Sequence, residues 1–277
     1  MPQEEIKTLM EAHVDATVLK DKLDELYAKY NRRRFVHPDP LEFLYEYDDV
    51  RDREIVALVA SSLAYGRVAQ ILRSVRDVLD RIGAPAAFVG ERPDEEIRPA
   101  LRGFRHRWTT GDDVAALLVA VKRAVEAHGS LEACFVAGLS EDDETIMPAL
   151  TRFTAALTAG HGEAKIDLLP DPARGSACKR LHLFLRWMVR RDEVDPGGWD
   201  RVPKAKLVVP LDTHMHAIAR GLGLTARGQA DGRTALEVTA AFRRLNPQDP
   251  VKYDFALTRV GIRTEMDAAG FLKRRAA

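Results

Sequence analysis

Lys179 and Asp212 are the two residues of this 277-residue chain whose types and settings best suit chemistry. Asp212 stands third in Pro-Leu-Asp-Thr-His-Met-His-Ala-Ile-Ala-Arg-Gly-Leu-Gly-Leu, residues 210–224. Asp and Thr side chains accept hydrogen bonds from the first free N–H groups of a helix, so Asp212-Thr213 predicts a helix start. Ile218 and Leu222 follow at helical spacing, and Gly221 and Gly223 mark the end. Lys179 lies in Gly-Ser-Ala-Cys-Lys-Arg-Leu-His-Leu-Phe-Leu-Arg-Trp-Met-Val-Arg, residues 175–190, in the expected first turn of another helix. A carboxylate at a helix N-terminus is kept ionised by the helix dipole and its capping bonds, and can stabilise positive charge developing in a reaction. An amine is a nucleophile that forms a Schiff base. The helix terminus and the adjacent Arg180 both disfavour an ammonium at position 179. The two residues are expected to face each other across one cleft.

Asp212, His214 and His216 also form a D-x-H-x-H pattern. These residue types bind divalent metals, so an all-α metal-dependent phosphohydrolase is the rival enzyme reading. Positions two apart on a helix point in different directions, and a second ligand cluster with suitable spacing does not stand out. Neither a metal nor another cofactor is expected.

The Asp-Thr-His helix resembles the V-D-T-H-hydrophobic-x-R-hydrophobic helix of the helix-hairpin-helix DNA glycosylases. The resemblance implies that Asp212 is the catalytic aspartate. It implies that Lys179, placed as the lysine after the family hairpin, is the nucleophile of the bifunctional members. The family hairpin reads L-P-G-hydrophobic-G-x-K. Here Leu169-Pro170 begins it and Gly175 precedes the lysine, with four extra residues and without the second glycine. The lysine-to-aspartate gap, 212 − 179 = 33, is longer than is usual in that superfamily and is similar to that of archaeal 8-oxoguanine glycosylases. As a whole, the chain resembles a bacterial family of uncharacterised proteins that carries the S-A-C-K-R-L and P-L-D-T-H stretches.

These resemblances imply excision of a damaged base, with 8-oxoguanine the favoured lesion. Breaking an N-glycosidic bond develops positive charge on the sugar, which Asp212 would stabilise. Attack of Lys179 on C1′ would give a Schiff base and open the way to strand cleavage, an AP-lyase activity. The expected partner is double-stranded DNA with a damaged base. Backbone N–H groups around Arg174 to Cys178 would hold a phosphate at the helix start. Arg174, Gly175, Ser176, Arg180 and His214 are the expected contacts there. Related glycosylases place a residue at a helix break that enters the DNA stack, and Tyr65, Arg67 and Gln70 are the candidates. A flat ring at Tyr65 would fill the gap left by an extruded base. The same break also reads as a plain helix–helix corner. A non-catalytic nucleic-acid-binding protein on the same fold is the other alternative.

Composition narrows the setting. A chain with 46% hydrophobic residues and 277 positions can bury a full core, in one domain or two lobes. Its formal net charge is zero, so any DNA contact must be a local basic patch. Two cysteines, Cys134 and Cys178, cannot ligate the iron–sulfur cluster that some glycosylases carry. No apolar run is long enough to span a membrane, and the acidic start lacks the pattern of a signal peptide. A cytoplasmic location is expected.

The elements that must position the site read as helices. Val18 to Tyr30 is amphipathic, and Arg32, Arg33 and Arg34 follow in a breaking loop. Arg53 to Ile82 is helical with a break near Tyr65-Gly66. Residues 83–107, rich in Pro, Gly and Arg, read as an irregular connection that sets Arg98, Arg102, Arg105 and Arg107 beside His106 and Trp108. Asp112 to His128, Ser130 to Ala137 and Thr145 to Ala159 read as helices, and His128 and His161 as isolated histidines. The helix from Ala177 buries Leu181, Phe184, Leu185, Met188 and Val189, while Arg180, Arg186, Arg190 and Arg191 project elsewhere. Asp192 to Pro203 reads as a polar insertion, and Leu207 to Leu211 as a short apolar run. Thr234-Ala-Leu-Glu237 is a capping-box pattern. Asp249-Pro250 opens a last helix with Tyr253, Leu257, Val260 and Ile262. Strand patterns are almost absent, so the expected fold is all-α and two-lobed, with a cleft between the lobes. Residues 1–52 are N-terminal helices packing with the C-terminal lobe, 53–165 a helical barrel lobe, and 166–277 the hairpin, the Lys/Asp region and the C-terminal helices.

Overall fold

The computed structural model describes residues 16–159 and 166–259. They are mostly helical, and their only sheet is a two-stranded hairpin, so the fold is all-α as the missing β-alternation predicts. His161, Val260, Ile262 and the basic tail of the chain lie outside the described residues.

Helix α1 (Ala16–Tyr30) leads through 3-10 turns at Arg33–Phe35 and Pro40–Glu46 into α2 (Val50–Ser62). Asp49 caps α2 by accepting from the Arg51 N–H at 2.8 Å. Every residue from Glu54 to Ser62 is buried. A helix covered on all sides belongs in the middle of the molecule. It packs along α9 (Lys179–Val189), which buries Leu181, Phe184, Leu185, Trp187 and Met188. Glu54 would be a costly charge at this depth, but it accepts from the N–H groups of Leu131 and Glu132 and from Trp199 Nε1. Burial still pushes its carboxyl up.

The chain breaks after Ser62 and resumes as α3 (Val68–Ile82), as the sequence predicts. Residues 83–107 depart from the expected irregular connection. They form α4 (Pro85–Glu91), α5 (Asp94–Ala100) and the first strand of the β1 (Arg105–His106) and β2 (Thr109–Thr110) hairpin. Pro85 presets the first turn of α4, and Asp94, Glu95 and Glu96 complement the dipole of α5. Helices of seven residues are too short to show an apolar stripe, so periodicity misses them. Helix α6 (Gly111–His128) starts at a capping box between Thr110 and Asp113. A Cβ on Gly111 would lie 2.0 Å from the Leu101 carbonyl oxygen, so only glycine allows this approach. Helices α7 (Leu131–Val136) and α8 (Met147–Thr158) complete that side.

Past α9, two readings are corrected. Asp192 to Pro203 is no polar excursion: Val194, Asp195, Trp199 and Val202 are buried. Trp199 packs with Phe135, Phe153 and Phe184 at ring-centroid distances from 5.1 to 6.5 Å. Arg186 and Arg190 do not project to the surface. Both are 3% exposed and share Asp195, with Asp254 also on Arg186 and Asp192 and Asp249 also on Arg190. Burial pulls both guanidinium groups down, but the carboxylates outweigh it and hold them above their usual range. Asp192 and Asp195 come from a stretch whose Asp, Gly and Pro content looks like loop; pairing with Arg186 and Arg190 carries it inward.

Helix α10 (Thr213–Gly221) follows Asp212, and α11 (Gly232–Leu245) begins earlier than Thr234. Its cap is Asp231, which accepts from the Thr234 N–H at 2.8 Å, while the Thr234 hydroxyl turns to the Gln229 carbonyl at 2.6 Å. Asp249-Pro250 leads through a turn at 251–253 into helical residues 254–259. One cluster of buried apolar side chains runs from Leu23 to Leu257. Among the described residues no helix is long and apolar enough to cross a membrane.

Candidate active site

The segment before α9 sets the position of Lys179. Asp171 caps the 3-10 turn Pro172–Arg174 through the Ala173 N–H at 2.9 Å, and Gly175 leaves it at φ 79°. Ser176 then bridges to Asp231, and the Gly232 N–H donates to the Gly175 carbonyl at 2.9 Å. A Cβ on Gly232 would meet the Ser176 carbonyl oxygen at 3.0 Å, so the start of α11 lies directly against this connection. Cys178 takes a left-handed conformation, φ 43°, which costs a non-glycine residue about 1 kcal/mol or more. Past that turn the helix starts, with Lys179 as its first residue.

Asp212 has extended backbone and caps α10: Oδ1 accepts from the Met215 N–H at 2.8 Å. A cap of this kind stabilises a helix by about 1 kcal/mol. Its other oxygen, Oδ2, accepts from Lys179 Nζ at 2.7 Å. The start of α9 and the start of α10 therefore meet through one ion pair. Neither side chain is closed off, with 36% of Lys179 and 23% of Asp212 exposed. Burial raises the Asp212 carboxyl, but the Lys179 charge and hydrogen bond, the Met215 N–H and His214 outweigh it, so it ionises below the usual carboxylate range. Arg180 turns away, donating to the Ser62 carbonyl at 2.7 Å, and a carboxylate sits on the amine instead.

Behind the pair lies Asp254, which sequence reading did not single out. It is 3% exposed, is held by Arg186, and interacts electrostatically with both Asp212 and Lys179. Burial raises its carboxyl against the pull of Arg186. Its position within Val-Lys-Tyr-Asp-Phe, an apolar turn, was the available signal.

The expected DNA contacts are distributed as follows. Gly175 and Ser176 are exposed in the connection before Lys179, and so is Arg174. His214 is exposed in the first turn of α10. Arg67 is exposed and Gln70 half-buried at the start of α3. Tyr65 is half-buried between α2 and α3, with Arg180 5.5 Å from its ring centroid, so the α2–α3 corner adjoins the residue next to Lys179. Trp187, Trp199 and Phe184 are core residues. Arg32 pairs with Glu193, Arg33 lies 3.2 Å from the centroid of Tyr45, and Arg34 lies 4.9 Å from that of Phe35.

The D-x-H-x-H residues diverge. His216 Nε2 bonds the Arg227 carbonyl at 2.9 Å, and Asp212 is committed to Lys179 and Met215. No group of three or more His, Cys, Asp or Glu side chains among the described residues is arranged to hold a metal ion.

The fold and site define an all-α protein whose lysine–aspartate pair joins two helix N-termini. Residues 39–263 match the family described as "Protein of unknown function (DUF2400)", and the chain belongs to that family. No curated protein and no solved structure matches the chain.

Proposed function

We propose that this protein is a DNA N-glycosylase that removes a damaged base, with Lys179 as nucleophile and Asp212 as the carboxylate that stabilises the sugar. The observation carrying this reading is the 2.7 Å pair between an amine and a carboxylate at the starts of two helices, both partly exposed to solvent. The likeness of the Asp-Thr-His helix to that of helix-hairpin-helix glycosylases supplies the substrate class.

In the proposed reaction, Lys179 gives up a proton and its lone pair attacks C1′ of the damaged nucleotide. The C1′–N bond breaks with its electrons going to the departing base, which takes up a proton. Positive charge grows on the sugar during this step, and Asp212, fixed on the Met215 N–H, faces it without reorganising. Ring opening of the C1′ adduct gives a Schiff base to Lys179, from which the strand can be cleaved. The 33-residue separation of the pair is similar to that of archaeal 8-oxoguanine glycosylases, and that resemblance is what points to 8-oxoguanine as the lesion. Neither group needs a metal.

A panel of duplexes, each with one lesion (8-oxoguanine, uracil, thymine glycol or an alkylated adenine), tests this directly. Base release and nicking are scored with and without borohydride. We expect release from at least one lesion and a covalent protein–DNA product on reduction. Tight duplex binding without release from any lesion would favour a non-catalytic nucleic-acid-binding protein.

A further inference from the structure

Trp108 is the most exposed large hydrophobic side chain among the described residues, at 63%, whereas Trp187 and Trp199 are each 1% exposed. It stands in the two-residue turn of the β1–β2 hairpin, between the paired residues His106 and Thr109. A tryptophan in water forgoes most of the burial energy that its size offers, so its surroundings matter.

Those surroundings are ordered. Trp108 stacks on Tyr65 with ring centroids 4.6 Å apart and planes at 22°. The Tyr65 hydroxyl donates to the His106 carbonyl at 3.1 Å and lies 2.6 Å from the Thr109 hydroxyl. The His106 ring meets Tyr65 edge-on at 4.6 Å and is itself fixed, with Nδ1 2.9 Å from Ser74 Oγ and Nε2 3.0 Å from the Tyr65 carbonyl. Tyr65 also has the guanidinium of Arg180, the sequence neighbour of Lys179, 5.5 Å from its ring centroid. An ordered set of contacts thus runs from Arg180, the sequence neighbour of Lys179, through Tyr65 to a largely exposed indole.

The charge around that indole is positive and unmatched. Arg107 has its guanidinium 4.7 Å from the Trp108 centroid, and Arg67 and Arg105 are exposed on the adjoining α3 start and β1. None of the three has a carboxylate partner among the described residues. Several arginines elsewhere do: Arg32 with Glu193, Arg76 with Glu46, Arg98 with Asp112. A lone flat ring amid guanidinium groups without carboxylate partners lacks the breadth of a protein-docking groove. It has the two features that hold a single nucleic-acid strand: an aromatic face for a base and cations for phosphate.

We propose that Trp108 is a stacking platform for an unpaired nucleobase, with Arg67, Arg105 and Arg107 taking the phosphates of the strand that carries it. The proposal rests on the reading of this site as one that acts on nucleic acid, and it names where a base outside the duplex is held. In this proposal Tyr65, the candidate for base contact in the sequence, is the half-buried layer beneath, and Trp108 is the contacting ring.

Trp187 and Trp199 are buried out of reach of a stacked base, so quenching of the emission by a nucleobase reports on Trp108. The whole protein is titrated at low salt with an oligothymidine single strand, with an intact duplex and with a duplex carrying a one-nucleotide gap. Binding is followed in parallel by anisotropy of labelled DNA. We expect quenching on the single strand and the gapped duplex and little on the intact duplex. Trp108→Ala should bind the single strand about tenfold more weakly, and Trp108→Phe should recover most of that loss. Because the side chain is exposed, neither variant should lose helical content. Binding of the single strand without quenching, equal affinity for Trp108→Ala, or no binding of any of the three nucleic acids overturns the platform. Base release in the lesion panel separates the two ideas: release without quenching removes only the platform, and quenching without release removes only the glycosylase.

Discussion

Lys179 Nζ and Asp212 Oδ2 meet at 2.7 Å although 33 residues separate them in the chain. The same carboxylate holds the Met215 N–H through Oδ1, so the amine is tethered to the start of α10 and not left to sample solvent. That division of labour makes the two residues separable by mutation.

Lys179→Gln should abolish borohydride trapping and strand cleavage while leaving helical content and duplex affinity close to wild type. A first-turn glutamine fits a helix and can still donate to Asp212. Trapping is read on denaturing gels with the most reactive lesion. If the variant still traps, the nucleophile lies elsewhere, and Lys204 or Lys206 is next to be replaced.

Asp212→Asn keeps an N-cap, because an asparagine oxygen accepts from Met215 as well. It removes the negative charge facing the sugar. Base release should fall by about 100-fold or more, the scale of a lost preorganised group in a transition state, with duplex affinity little changed. Single-turnover release rates measure this. Full release from both this variant and Lys179→Gln on the best lesion would leave the pair without a catalytic role.

How far the sequence foretold this site depends on the kind of signal. Asp212 was legible because capping is local: one side chain, one N–H three residues on. Lys179 was legible as part of a helix start from the apolar stripe Leu181, Phe184, Leu185 and Met188 that follows it, although its hydrogen bond to Asp212 is a long-range fact. The fate of Arg186 and Arg190 was not legible. An arginine on a helix reads as surface until acids such as Asp195, Asp249 and Asp254 are known to converge on it. Nor could spacing show that Tyr65 is covered by Trp108, since that contact joins a helix corner to a hairpin about forty residues away. The helices α4 and α5 hid behind Pro and Gly content that also marks loops.

Duplex affinity should fall steeply with salt. If Arg67, Arg105, Arg107 and Arg174, exposed and without a carboxylate partner among the described residues, each neutralise a phosphate, log affinity should fall against log salt with a slope of about −4. Arg67→Glu or Arg174→Glu should weaken all sequences alike and flatten the slope. Filter binding from low to physiological ionic strength decides; a salt-independent complex counts against a phosphate-contacting surface.

Acid should destabilise the protein earlier than carboxylate titration alone predicts. His182 is buried on α9 and its ionisation is pushed down to about 4 by desolvation. The unfolded chain takes up a proton near the ordinary value of about 6.5, and the folded chain does not. Stability from the neutral ring is therefore fully present above that value and is lost as pH falls towards 4, by an amount on the order of 3 kcal/mol. Urea midpoints at pH 7.5 and 4.5 should converge for His182→Leu relative to wild type. An unchanged difference between the two pH values in the variant would show that other groups carry the acid sensitivity.

The buried charges beneath the site give the last test. Arg186 is held by Asp195 and Asp254, and each acid is at most 3% exposed. Arg186→Met removes one charge and leaves Asp254 without its guanidinium, while Asp195 retains Arg190. Breaking such a pair from one side costs about 3 to 5 kcal/mol, because an uncompensated charge stays in a dry interior. Removing both partners, in Arg186→Met with Asp254→Leu, deletes the stranded charge as well. The double variant should be more stable than Arg186→Met alone, with a positive coupling in the double-mutant cycle of about 1 kcal/mol or more. Equilibrium urea unfolding of the four proteins measures it. Because Asp254 also interacts with Asp212 and Lys179, the double variant should fold yet release base more slowly than wild type. Additive stability losses would mean that Arg186 and Asp254 do not depend on each other, and the network would then stabilise the fold through Asp195 alone.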